Sequence, residues 1–285
     1  MGGSDWRPLR ITDWGRLSEA RLQAHYAVQW LARTARGYIQ PQPDDGHTSL
    51  RWDGSLDGFV TQALKDGTRL SLKLSNLTLA WHDGDCAASA QTFPLSNQAD
   101  KQARHWLGEQ LAARSLDARA LDAPPPYQLP AHPIAQGAVY DAAGSGDALA
   151  ELAAWYANAE FLLSGIKRQM LERKLAASPV CCWPHHFDLA TLITLPTRKD
   201  DVTGYVGAGL SPGDEYYGEP YFYVSVYPKP DPAALPSLPA LGSWHTHEFT
   251  AAVSPARRIL AAKDQHRETD DFLRGSVAVA IELLA

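Results

Sequence analysis

The chain has 285 residues, enough for one large domain or two smaller ones, each able to bury a core. Apolar residues make up 45% and charged residues 20%, a globular balance. The formal net charge is −6 with no basic stripe, which argues against a nucleic-acid partner held through its phosphates.

Residues 17–36 are expected to form a helix capped by Ser18, because Leu22, Tyr26 and Trp30 fall on one stripe at four-residue spacing. Strands are expected at 48–65, 68–82 and 85–95, separated by the turn signals Asp66-Gly67 and Asp83-Gly84, with a bulge at Ser75-Asn76. A helix at 97–115 closes this stretch, and Pro124-Pro125-Pro126, Pro130, Pro133 and Gly144-Ser145-Gly146 mark a connector. The clearest helix starts near Asp147: Leu149, Leu152, Tyr156, Ala159, Leu163, Ile166 and Met170 alternate spacings of three and four. Strands follow at 180–195, 202–210, 220–227 and 241–250, and Ser254-Pro255 reads as the start of one or two C-terminal helices. The expected fold class is α+β with mainly antiparallel sheets. Two similar helix–sheet–helix halves, 1–118 and 147–285, are joined by a connector at 119–146 and suggest an internal duplication.

No apolar run reaches the ~20 residues that span a bilayer, so no membrane partner is expected. Met1–Trp6 has no signal-peptide core and does not fit the myristoylation pattern. Three cysteines, two of them adjacent, give no disulfide framework and suit the cytoplasm.

Chemistry concentrates in Trp183-Pro184-His185-His186-Phe187-Asp188. Read as a continuous strand, alternation puts His185 with Trp183 and Phe187, and His186 with Asp188 on the other face. Trp244-His245-Thr246-His247-Glu248 repeats the pattern, pairing His245 with His247. A set of His186, Asp188, His245 and His247 has the donors for a divalent transition metal such as Zn, Fe or Mn. Without a metal, His186 with Asp188, or His185 with Asp214 or Glu215, offers a base and an orienting carboxylate. Trp183, Glu219, Tyr221 and Tyr223 are the expected ligand contacts, the tyrosines sharing one strand face.

Two motifs are set aside. Gly209-Leu210-Ser211-Pro212-Gly213 spells a nucleophile elbow, but Pro212 lacks the N–H that the elbow supplies to an oxyanion. Gly204, Gly207 and Gly209 lead into a turn, not a helix, and suit a strand needing close backbone approach.

The stretches W-P-H-H-F-D-L-A at 183–190, G-L-S-P-G-D-E at 209–215 and E-P-Y-F-Y-V at 219–224 resemble the domain of unknown function 5996 family. A looser likeness covers 244–253, and the N-terminal half matches in outline only, around Thr34-Ala35-Arg36-Gly37. The resemblance implies a signature of His185, His186, Asp188, Asp214, Glu219, Tyr221 and Tyr223 and no particular activity. Three functions stay open: a metal-dependent enzyme acting on a small polar molecule, a metal-free acid–base enzyme, and a noncatalytic protein binding a small molecule or peptide through an aromatic pocket.

Overall fold

A computed structural model describes residues 6–10, 13–84, 90–196 and 202–284. Met1–Asp5, Cys86 and the first part of the expected strand 85–95 lie outside the described residues. The fold is α+β, with five α-helices and two antiparallel sheets among the described residues. The chain divides into two compact units. One takes Thr12–Ala153 with Cys182–Phe187, here the N-terminal unit. The other takes Ala154–Cys181 and Asp188–Ala285 with the residues up to Ile11, here the C-terminal unit.

The N-terminal unit opens with helix α1 (Trp14–Tyr38), capped by Asp13 and not by Ser18: Asp13 Oδ1 accepts from Gly15 N at 2.8 Å. The expected strand 48–65 is instead the hairpin β1 (Arg51–Asp53) and β2 (Gly58–Val60). The turn between them holds Asp57 at φ 53°, and Asp53 Oδ1 accepts from the Ser55 backbone at 3.0 Å, a local bond that breaks a strand. Likewise 68–82 splits into β3 (Arg69–Lys73) and β4 (Thr78–His82), because Leu74–Asn76 form a 3₁₀ turn where a bulge was expected. Strand β5 (Ala90–Pro94) completes the sheet, whose order is β1-β2-β3-β4-β5. Its registers line up Trp52, Phe59, Leu72, Leu79 and Phe93 across neighbouring strands, the apolar row on which the core is built. Helix α2 spans Asp100–Ala112, and α3 spans Gly146–Glu172 as its apolar stripe predicts, its residues from Ala154 onward belonging to the C-terminal unit.

In the C-terminal unit lie short strand β6 (Ala176–Ala177) and β8 (Asp188–Thr194); between them in the chain comes β7 (Cys181–Trp183), whose last two residues belong to the N-terminal unit. Then come β9 (Tyr205–Ser211), β10 (Tyr221–Tyr227), β11 (Ser243–His245) and β12 (Ala251–Pro255). The sheet runs β11-β12-β10-β9-β8-β6. The sequential order of the other sheet is not repeated, so strand order lends the expected duplication no support. One face, with Leu189, Val206, Ala208, Leu210, Phe222 and Val224, is fully buried. Helix α5 (Gln265–Leu283) packs on β9, β10 and β12 through Phe272, Leu273, Val277 and Ala280, at helical spacing. Helix α4 (Ala256–Leu260) begins after Pro255, one residue later than Ser254-Pro255 suggests.

Candidate functional site

The signature segment is not a continuous strand. Strand β7 ends at Trp183, whose carbonyl accepts from His186 N at 3.2 Å and Phe187 N at 2.7 Å. Pro184 sits where a tight turn favours proline, and Phe187 adopts the left-handed region at φ 59° before β8 starts at Asp188. Alternation therefore does not govern His185 and His186. Both are exposed on the turn, with ring centroids 4.2 Å apart, and Tyr127 lies 5.7 Å from His185. The His185 pKa is lowered by partial desolvation first and by His186 second. Trp183 stands edge-on to His185 at 6.1 Å.

The turn is anchored by its neighbours. Phe187 is fully buried, stacked 5.2 Å from His25 of α1 and 5.8 Å from Phe59 of β2. The Pro184 carbonyl accepts from His25 Nε2 at 2.9 Å and from Gln29 Nε2 at 2.8 Å. Burial pushes His25 down from 6.5 to about 4, so its ring is neutral at pH 7.

Other signature residues gather in the C-terminal unit, on the sheet face opposite the helix-covered one. Tyr223 of β10 is opposite Gly209 of β9, and Gly209 is opposite Ala190 of β8. A Cβ on Gly209 would lie 2.6 Å from the Tyr223 ring, so glycine is what lets that ring lie flat across β9. The Tyr223 hydroxyl then reaches β8 and donates to Asp188 Oδ2 at 2.5 Å.

A second tyrosine–carboxylate pair lies beside the first. Tyr221 donates to Asp214 Oδ2 at 2.5 Å, with Ser211 Oγ 3.4 Å from the same oxygen. Asp214 Oδ1 accepts from Tyr216 N at 2.9 Å and Tyr217 N at 3.0 Å, which fixes the loop between β9 and β10. That loop brings in Tyr216 and Tyr217. Tyr217 lies 4.8 Å from Tyr221, itself 6.1 Å from Tyr223, and Phe249 is 4.2 Å from His245. Burial, then the Asp188 charge, raises Tyr223 well above the usual phenol range, and burial with Asp214 does the same for Tyr221. Hydrogen bonding to Glu248 pushes Tyr216 up to about 12. At neutral pH these phenols are donors to carboxylates, not bases.

The H-x-H arrangement is also lost. Strand β11 stops at His245, and Thr246–Phe249 form a turn with Glu248 at φ 64°. His245 Nε2 donates to the His247 carbonyl at 2.6 Å and its Nδ1 meets the Tyr217 hydroxyl at 3.1 Å, so both ring nitrogens are engaged. His247 is exposed. Among the described residues no group of three or more His, Cys, Asp or Glu is placed to hold a metal ion, so His186, Asp188, His245 and His247 do not form the expected quartet.

Glu219, expected to contact ligand, is buried, and both its oxygens are taken: Oε2 by Arg257 N at 2.8 Å and Oε1 by Arg257 Nε at 2.5 Å. It stabilises the N-terminus of α4. Glu215 is exposed in the loop. Sequence reasoning missed Gly209, Ser211, Tyr216, Tyr217 and Phe249 as parts of the site. A usable signal for the two tyrosines was Asp214, whose side chain readily bonds backbone N–H groups two and three residues on.

Among the described residues no helix is long and apolar enough to cross a membrane. No family model matches the chain, and neither a curated protein nor a solved structure does so.

Proposed function

We propose that the protein is a noncatalytic binding protein for a small polar organic ligand carrying a cationic nitrogen, recognised at the tyrosine–carboxylate face of the C-terminal unit. The observation that carries the reading is the pairing of Tyr223 with Asp188 and Tyr221 with Asp214 on one sheet face beside Tyr217, Phe249 and His245. Aromatic rings attract a cation through their negative faces, and two carboxylates supply the opposite charge. The net charge of −6 favours encounter with cations. Acid–base turnover is the weaker reading, because the phenols are held protonated. The metal-dependent reading loses its basis with the quartet.

We further propose membership of the domain of unknown function 5996 family, on residues 183–190, 209–215 and 219–224.

The test is a thermal-shift panel on the full chain with choline, spermidine, glycerol and acetate at matched ionic strength. Stabilisation by the two nitrogen cations, choline and spermidine, absent with glycerol and acetate, is the expected outcome. No effect of either cation, or an equal effect of all four, would overturn the reading.

A further inference from the structure

We propose that Arg33 and Arg36, on α1 of the N-terminal unit, form a second binding site, one for an oxyanion: a carboxylate or phosphate group. The two arginines are three residues apart, hence neighbours on one helix face. Each guanidinium lies over an aromatic ring, Arg33 at 4.7 Å from the Trp30 centroid and Arg36 at 5.8 Å from that of Tyr127. A guanidinium beside an aromatic ring can still direct forked N–H donors at a planar or tetrahedral anion.

Neither arginine has an ion-pair partner among the described residues. Two carboxylates near this region, Asp100 and Asp122, bind other donors. Asp100 Oδ1 accepts from Trp30 Nε1 at 3.1 Å and from the Tyr140 hydroxyl at 2.7 Å. Asp122 takes Arg104 through both oxygens, at 2.6 and 2.8 Å. Arg33 Nε and Arg36 Nη1 are nevertheless buried without a hydrogen-bond partner. Leaving a buried charged donor unsatisfied costs more than leaving a neutral one so, and a helix avoids that cost by turning the side chain to solvent. The partial negative charge at the end of α1 accounts for an arginine in its last turn, but not for keeping Arg36 Nη1 out of water without a partner.

The site has a third component. Tyr127 donates to Gln29 Oε1 at 2.8 Å and lies beside His185, so the ring under Arg36 is held by α1 and faces the signature turn. A small anion bearing a flat or apolar body would meet two forked cations and an aromatic wall.

The experiment is isothermal titration of the full chain with inorganic phosphate and, separately, with benzoate, in chloride buffer of constant ionic strength. Saturable binding of at least one is expected, weakened about tenfold or more in Arg36→Gln and in Arg33→Gln. The phosphate and benzoate arms show which oxyanion chemistry the site takes. Arg36→Lys keeps the charge but loses the fork, so it should also bind more weakly while folding normally by circular dichroism. Should the glutamine variants misfold, the lysine variant alone decides. No saturable heat with either anion, or wild-type affinity in a folded Arg36→Lys or Arg36→Gln variant, would overturn the proposal.

Discussion

The Tyr223 hydroxyl reaches Asp188 by crossing Gly209, whose missing side chain is the space that the phenol ring fills. Gly209→Ala would put a methyl 2.6 Å from that ring, and the strand on either side leaves it little room to move. Overpacking of this kind costs about 1–3 kcal/mol, measurable as a lower urea midpoint with an unchanged slope. The same variant should weaken cation binding. A Gly209→Ala protein as stable as the wild type would show that the ring does not need the gap.

Tyr223→Phe removes one donor and nothing else. Asp188 Oδ2 loses the 2.5 Å bond it accepts, and stability should fall by about 1–3 kcal/mol in equilibrium denaturation. In a spectrophotometric titration a late-ionising group of phenols should include Tyr140, Tyr216, Tyr221 and Tyr223. Tyr223→Phe should take one phenol out of the late group only.

Glu219→Ala distinguishes a structural carboxylate from a ligand contact. Both Glu219 oxygens serve Arg257 at the start of α4, so the variant should lose about 1–2 kcal/mol of stability, as lost helix caps do. Cation binding, measured below the new melting temperature, should be unchanged. A selective loss of binding would return Glu219 to the site.

His25 makes the stability of the N-terminal unit depend on pH. Its folded pKa of about 4 lies below the ordinary 6.5, so between those values the unfolded chain binds the extra proton. The stabilisation is complete above pH 6.5, decreases as pH falls, and is gone below about 4. The loss amounts to roughly 3 kcal/mol. Urea midpoints at pH 7, 5.5 and 4.5 should fall in that order, and His25→Gln should flatten the trend. A wild-type midpoint independent of pH would contradict the buried neutral ring.

The helices and the α+β class were legible because an apolar stripe of period near 3.6 survives whatever the helix packs on, as Leu149 to Met170 of α3 illustrate. Strand existence was legible, but strand ends were not. Asp53, Leu74–Asn76 and Pro184–Phe187 each break an apolar run by local hydrogen bonds or left-handed backbone, and Phe187 at φ 59° is a conformation that no residue preference announces. That single turn undid the sorting of His185 and His186 by strand face. The tyrosine face could be seen in Tyr221 and Tyr223 on β10. Its partners Asp188 and Asp214 could be named but not paired, since the pairing depends on sheet register and on the empty place at Gly209. On α1 the apolar stripe does not mark Arg33, and Arg36 enters only through the outline resemblance at Thr34-Ala35-Arg36-Gly37.

The most direct measurement compares choline with its neutral isostere 3,3-dimethyl-1-butanol by isothermal titration, using the wild type and Asp188→Asn. Saturable choline binding, at least about tenfold tighter than the isostere and weakened in Asp188→Asn, is the expected result. Equal binding of the two compounds, or no binding of choline, would contradict cation recognition at the Tyr223–Asp188 face.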